Sequence, residues 1–282
     1  MKIIQLSSET DFEGWRQVAK LLWYHHISPQ NVMWRGPSTA QGLFDQAEDI
    51  RWRGKITSRA SLTVPRQFIA LAKRAICHQD ENRFDKLYQL FWRLQKSPRL
   101  LENASDRDVS WLLACDKAIR RDVHKMHAFV RFRKVGEDQA GREQFAAWFE
   151  PTHYIVGLAT PFFRRRFPNM DWVIVTPYQT AIWNGEDLTF GPGGQKSDIP
   201  KNDAIEDQWR TYFSSIFNPA RLKVKAMTSE MPKKYWHNLP EADLIPSLIA
   251  TAQDRELKMQ TDAVTTPHPL AAHLKAKQKA VS

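Results

Sequence analysis

The sequence predicts an α+β fold in which an antiparallel four- or five-stranded sheet, in β-β-α-β-β order, is packed with N- and C-terminal helices. Three observations carry that reading. Residues 1–125 place apolar side chains at helical spacing. Residues 126–191 change to short aromatic and β-branched runs split by turn residues, and residues 203–260 return to helical spacing. A single domain over 1–260, in these three parts, is expected, and the small, polar, Ala- and Lys-rich stretch 261–282 reads as a disordered tail.

The elements follow in order. Met1 to Leu6 is a short strand candidate. "SETDFEGWRQVAKLLWYH" reads as a helix with Phe12, Trp15, Ala19 and Leu22 on one face. The polar stretch from Gly36 to Thr63 reads as an irregular segment or a pair of weak strands, after which Pro65 can open the helix "PRQFIALAKRAICHQ". "RFDKLYQLFWRLQ" is a further helix. Ser105 with Asp108 resembles a capping box for a helix whose Val109, Leu112, Leu113, Cys115 and Ile119 form an apolar face. The strands are "MHAFVRFR", "EQFAAWFE", "DWVIVTP", "TAIWNG" and "DLTFG", with a helix inside "THYIVGLATPFFRRRFPN" between the second and third. "GPGG" lacks the Lys-Ser/Thr ending of a phosphate-binding loop and reads as a flexible turn. "AIEDQWRTYFSSIF" and "PEADLIPSLIATAQDRELKMQ" are the last helices.

Composition narrows the function. Forty-one Lys and Arg against 31 Asp and Glu leave a formal charge of +10, which favours polyanionic partners, DNA foremost. Eleven tryptophans among these cations suit base stacking. The two cysteines, Cys77 and Cys115, build neither a disulfide framework nor a thiolate metal site, which points to a reducing, cytoplasmic setting. No apolar run of 18 residues occurs, so no membrane span is expected, and neither is a resident cofactor.

Read as a strand, "MHAFVRFR" turns His127, Phe129, Arg131 and Arg133 to one face, a stacking-and-phosphate combination. Lys125 heads an octet that approximates an RNA-recognition strand signature, with Met126 in place of its Gly and His127 in place of an aromatic. Trp148 extends the surface if the next strand pairs with it, and Arg164, Arg165 and Arg166 add phosphate-binding charge. Arg221 and Lys223, with Lys225, Lys233 and Lys234 among Phe217, Met227, Tyr235 and Trp236, form a second basic-aromatic run. That run is either a nucleic-acid contact or a connector pinned by its aromatic rings. Catalytic signals are thinner: His124, His127, Glu150 and His153 are the candidates, and their spacing predicts no metal site.

Six separated blocks resemble a known family. "VPRQFIALAKRAICH", "RDVHKMHAFVRFR", "EPTHYIVGLATPFFRRRF", "DWVIVTP", "FNPARLKVKAM" and "EMPKKYWHNLPEA" are similar to probable DNA metabolism proteins built on a domain of unknown function. The resemblance implies a DNA-binding accessory role in DNA repair or modification beside a radical-SAM enzyme, sometimes with a fused uracil-DNA glycosylase. It supplies no catalytic residues. Glycosylase motifs of the G-Q-D-P-Y or G-E-x-P-G type are absent and no cysteine trio exists, so uracil excision or radical chemistry is assigned to partners. Two other classes stay open, a nucleic-acid-processing enzyme built on the His/Glu candidates and an adaptor for an acidic partner protein.

Overall fold

The computed structural model describes residues 1–38, 62–137, 141–199 and 231–250. The polar stretch 39–61, the helix read at 204–217, residues 251–260 of the last helix, the tail 261–282 and both Arg221 and Lys223 lie outside the described residues. The fold is mixed α/β, with six α-helices and seven strands among the described residues. The chain divides into two compact units, Met1–Val130 with Phe149–Gly194, and Arg131–Trp148 with Gln195–Ser282.

The first unit begins with β1 (Lys2–Gln5), α1 (Phe12–Tyr24) and β2 (Val32–Arg35), and the two strands pair in parallel with Lys2 opposite Val32. Asp11 starts α1 by accepting the Gly14 N–H at 2.8 Å. Its buried stripe is the expected Phe12, Trp15, Ala19 and Leu22. Trp15 meets Trp34 and Phe91 at ring separations of 6.1 and 6.5 Å and donates to the Phe84 carbonyl at 3.2 Å. Two more helices follow, α2 (Arg66–Ala75) behind Pro65 and α3 (Arg83–Leu94).

The long helix α4 (Arg107–Phe129) corrects two expectations. Its N-cap is Asp106, not Ser105: the Asp106 carboxylate accepts the N–H groups of Asp108 and Val109 at 3.0 and 3.3 Å. Arg93, near the end of α3, pairs with that carboxylate at 2.5 Å and also with Asp108, which joins the two helix ends. The helix then runs through "MHAF", where the sequence suggested a strand. Leu112, Cys115, Ile119, Asp122 and Met126 are buried at intervals of three or four, so the helical stripe continues past the point where alternation seemed to begin. Buried Asp116 on the same helix accepts from Arg74 of α2 and from Arg120.

The rest of this unit is α5 (Val156–Arg166) and an antiparallel meander of β5 (Asp171–Val175), β6 (Gln179–Trp183) and β7 (Leu188–Pro192). Trp172 pairs with Trp183, and Ala181 sits between Ile174 and Phe190. Phe163 of α5 packs on Trp172 at 6.3 Å. "GPGG" is anchored rather than a loose turn. Gly194 donates to the Thr176 carbonyl at 3.0 Å, and a Cβ on Gly193 would lie 2.2 Å from the Pro177 carbonyl oxygen.

The second unit opens with a hairpin of β3 (Arg133–Glu137) and β4 (Glu143–Trp148), antiparallel and broken by a register shift between Lys134 and Gly136. A 3-10 turn at Lys196–Asp198, two more at Lys233–Asn238 and Pro240–Leu244, and the short helix α6 (Ile245–Ala250) are its other described elements. The strands β3 to β7, split by α5, follow β-β-α-β-β-β order in the chain, one strand more than the expected sequence of elements. No helix among the described residues is long and apolar enough to cross a membrane.

Candidate nucleic-acid interface

The hairpin of the second unit decides which of the predicted side chains meet. Arg133 lies opposite Ala146, so Trp148, two residues beyond Ala146, and Arg131, two residues before Arg133, share one face of the ribbon. The register shift brings Lys134 together with Glu137 and Glu143, at 2.5 and 2.9 Å, so that this lysine is neutralised by its neighbours. Arg131, Arg133 and Trp148 line a cavity of about 250 Å³ together with Lys196, Ser197, Ile199 and Asn238.

Two short turns deliver the remaining walls. In the first, Gln195 donates its N–H to Asp198 at 2.7 Å and accepts the Asp198 N–H at 3.0 Å, a reciprocal cap that fixes Lys196 and Ser197. In the second, buried Tyr235 and the Trp236 indole, which donates to the Met231 carbonyl at 2.9 Å, hold the turn that ends at Asn238. Exposed Lys233 and Lys234 lie over the Trp236 and Tyr235 rings. The aromatic rings of residues 231–238 are thus held in place while Lys233 and Lys234 face solvent.

The other predicted binding residues are dispersed. Lys125 is buried in α4 with its ammonium 5.7 Å from the Phe129 ring, and Phe129 is the last residue of that helix. His127 is half-buried, stacked on Phe162 at 4.2 Å and bonded to the Ala159 carbonyl at 3.1 Å. Burial lowers its pKa. The shared face expected for His127, Phe129, Arg131 and Arg133 therefore does not form, because the first two belong to a helix and the last to a strand. Arg164, Arg165 and Arg166 are exposed at the end of α5, with Arg164 over the Trp183 ring and Arg166 over Phe167.

The catalytic candidates sit in unlike surroundings. His124 is exposed and Glu150 half-buried. His153 is buried in a turn ahead of α5, where Asp122 accepts the N–H groups of Thr152 and His153, each at 2.9 Å. Its Nδ1 accepts the Gln79 N–H at 3.3 Å, its ring stacks on His78 at 4.4 Å, and the Tyr178 hydroxyl donates to its carbonyl. The Asp122, Tyr178 and Ile155 contacts of His153 secure the turn that launches α5. The sequence reading missed His78, whose Nδ1 accepts the Asp80 N–H at 3.0 Å and whose pKa burial lowers. It also missed Lys196, Ser197 and Asn238.

Burial pushes both cysteine thiols up to about 12, so neither is a poised nucleophile. Iodoacetamide at pH 8 should leave Cys77 and Cys115 unmodified in the folded protein and alkylate both in denaturant, as read by intact mass.

A mixed α/β protein with a basic, aromatic-walled cavity on a β-hairpin is the class that fold and site define. More narrowly, the chain belongs to the family described as a domain of unknown function (DUF4130), whose model matches residues 79–241. That match takes in α3 through the turn at Pro240 and leaves out β1, α1, β2 and α2. No curated protein and no solved structure matches the chain.

Proposed function

We propose that this protein is a DNA-binding accessory factor in DNA repair or modification, acting beside a radical-SAM enzyme. One observation carries the binding half of the reading: Arg131, Arg133 and Lys196 line the same cavity as Trp148. Guanidinium groups fork onto phosphate oxygens and an indole offers a base-stacking face, the pairing that single-stranded nucleic-acid sites use. The net charge of +10 adds long-range attraction to any polyanion. The partner half rests on the family resemblance and on a chain with only two cysteines, too few to hold an iron–sulfur cluster of its own.

The test is anisotropy of labelled single-stranded and duplex DNA across salt, with product analysis in the same tubes. Binding without turnover and with a steep salt slope is expected. The triple variant Arg131→Ala, Arg133→Ala, Lys196→Ala should flatten the slope of log affinity against log salt by about 2 on single strands and about 2.7 on duplex. Conversion of the DNA would favour the enzyme reading. Co-purification with an acidic partner and no DNA affinity would favour the adaptor.

A further inference from the structure

A second surface, on α4 and α5 of the first unit, is charged in a way the fold does not require. Past its first turn α4 has two acids, Asp116 and Asp122, and both are buried, at 2% and 6% exposure. Asp116 is held by Arg74 and Arg120, and Asp122 by the N–H groups of Thr152 and His153. Lys117, Arg121 and His124 face outward instead, exposed at intervals of four and three along one stripe. The helix α5 contains no acid and ends in exposed Arg164, Arg165 and Arg166. The two helices meet where His127 stacks on Phe162 and bonds to the Ala159 carbonyl. Burial lowers the His127 pKa, and the charges of His124 and Arg165 lower it further, so these two flank it from α4 and α5.

Local structure explains part of this charge and not the rest. The α5 dipole favours arginines in its last turn, and Arg164 and Arg166 lie over the Trp183 and Phe167 rings. Lys117 and Arg121 stand more than two turns before the end of α4, beyond the dipole's reach, and like charges at i, i+4 repel. A polyanion laid on the face relieves that repulsion. From Lys117 to His124 the stripe runs about 10 Å at roughly 1.5 Å per residue, a length over which one DNA strand presents about three phosphates. The rings beside it, His127 and Phe162, are stacked on each other at 4.2 Å and both lie edge-on to Phe163, so the face offers cations to a backbone and no platform to an unstacked base. Single strands draw much of their affinity from such stacking, whereas a duplex presents its backbone outermost and at higher charge density. Resting on the DNA-binding reading above, we infer that the exposed face of α4 and α5 carrying Lys117, Arg121, His124 and Arg165 lies along the sugar-phosphate backbone of duplex DNA, without reading its sequence.

Anisotropy of a duplex and of a single strand with the same number of phosphates, across salt and with the full chain, tests the face. The triple variant Lys117→Gln, Arg121→Gln, Arg165→Gln should flatten the duplex slope of log affinity against log salt by about 2.7 and the single-strand slope by less than about 0.7, one contact. A control variant, Lys20→Gln, Lys96→Gln, Arg99→Gln, removes equal charge from exposed positions of the same unit and should leave both slopes unchanged. The double variant Arg121→Gln, Arg165→Gln should flatten the duplex slope by about 1.8 and stands in if thermal melting shows the triple variant unfolded. A duplex slope unchanged in the folded variants, or flattened equally by the control, overturns the face and leaves the hairpin cavity as the DNA contact. Equal flattening on single strands overturns the duplex assignment. Wild-type protein that binds neither DNA removes the DNA reading and this inference with it, and phosphatidylserine vesicles bound in their place through the same three residues would make the face a membrane contact.

Discussion

An Arg83→Met variant should lose about 3–5 kcal/mol of folding stability, because it leaves the half-buried Glu9 carboxylate without its cation and three backbone carbonyls without their donor. Arg83 opens α3 and is only 2% exposed. Its guanidinium donates to the Ile76 carbonyl at 2.8 Å, the Asp80 carbonyl at 3.2 Å and the Glu9 carbonyl at 2.9 Å, and it pairs with the Glu9 carboxylate. Phe84 and Tyr154 rings flank it at 4.2 and 5.0 Å. Glu9 is held from the other side by the Ser38 N–H and hydroxyl at 2.8 and 2.6 Å. Burial alone would raise the Glu9 carboxyl, and the hydrogen bonds from Ser38 and Arg83 outweigh it, so its pKa is lowered. The ion therefore stays charged and needs its partner. Gly36 is part of the same design, since a Cβ there would lie 2.4 Å from a Glu9 carboxylate oxygen.

Methionine keeps most of the arginine stem's volume but abandons three carbonyls and a carboxylate. Adding Glu9→Gln to Arg83→Met should recover part of the loss by removing the stranded charge, and urea unfolding of the two single variants and the double one gives the coupling. A loss below about 1 kcal/mol for Arg83→Met would mean that water replaces the guanidinium and that the site is open.

How much of this was legible depended on how far each feature reaches along the chain. The stripe of α1 reads directly, because Phe12, Trp15, Ala19 and Leu22 repeat over three turns and no other period fits them. "MHAFVRFR" misleads because eight residues satisfy two periods at once. Met126 closes a helical stripe with Ile119 and Asp122, yet it also begins an apparent alternation with Ala128 and Val130. The observed strand begins only at Arg133, the last residue of that run, so Arg131, Arg133 and Trp148 meet at one cavity while His127 and Phe129 stay on the helix. Asn238 and Lys196 were invisible for a different reason. Each reaches the cavity from a 3-10 turn tens of residues away, and neither turn has a periodic signal. The Arg83 pairing has no local signal in "ENRFD", since its partner Glu9 lies 74 residues earlier.

The second large effect concerns a single carboxyl and depends on pH. Asp85 sits in the first turn of α3, where the helix dipole favours a negative charge, and it accepts the Trp34 N–H at 3.2 Å. Burial nevertheless wins, and its pKa is pushed up from an ordinary 3.8 to about 6. The folded state therefore holds the proton more tightly than the unfolded chain does. Below about pH 4 the carboxyl is neutral in both states and imposes no penalty. As pH rises, the unfolded chain ionises first, and stability is lost progressively until the folded-state carboxyl also ionises near pH 6. Above that pH the folded protein carries a charge whose burial costs up to about 3 kcal/mol. Asp85→Asn removes the charge and keeps an acceptor for the Trp34 N–H. The variant should match the wild type near pH 4 and exceed it by about 1–3 kcal/mol at pH 7.5, with a melting temperature higher by on the order of 5–10 °C. Urea unfolding of both proteins at pH 4, 5, 6 and 7.5 checks the expectation. A stability difference that stays constant across that range would show that the Asp85 carboxyl titrates alike in the folded and unfolded chains.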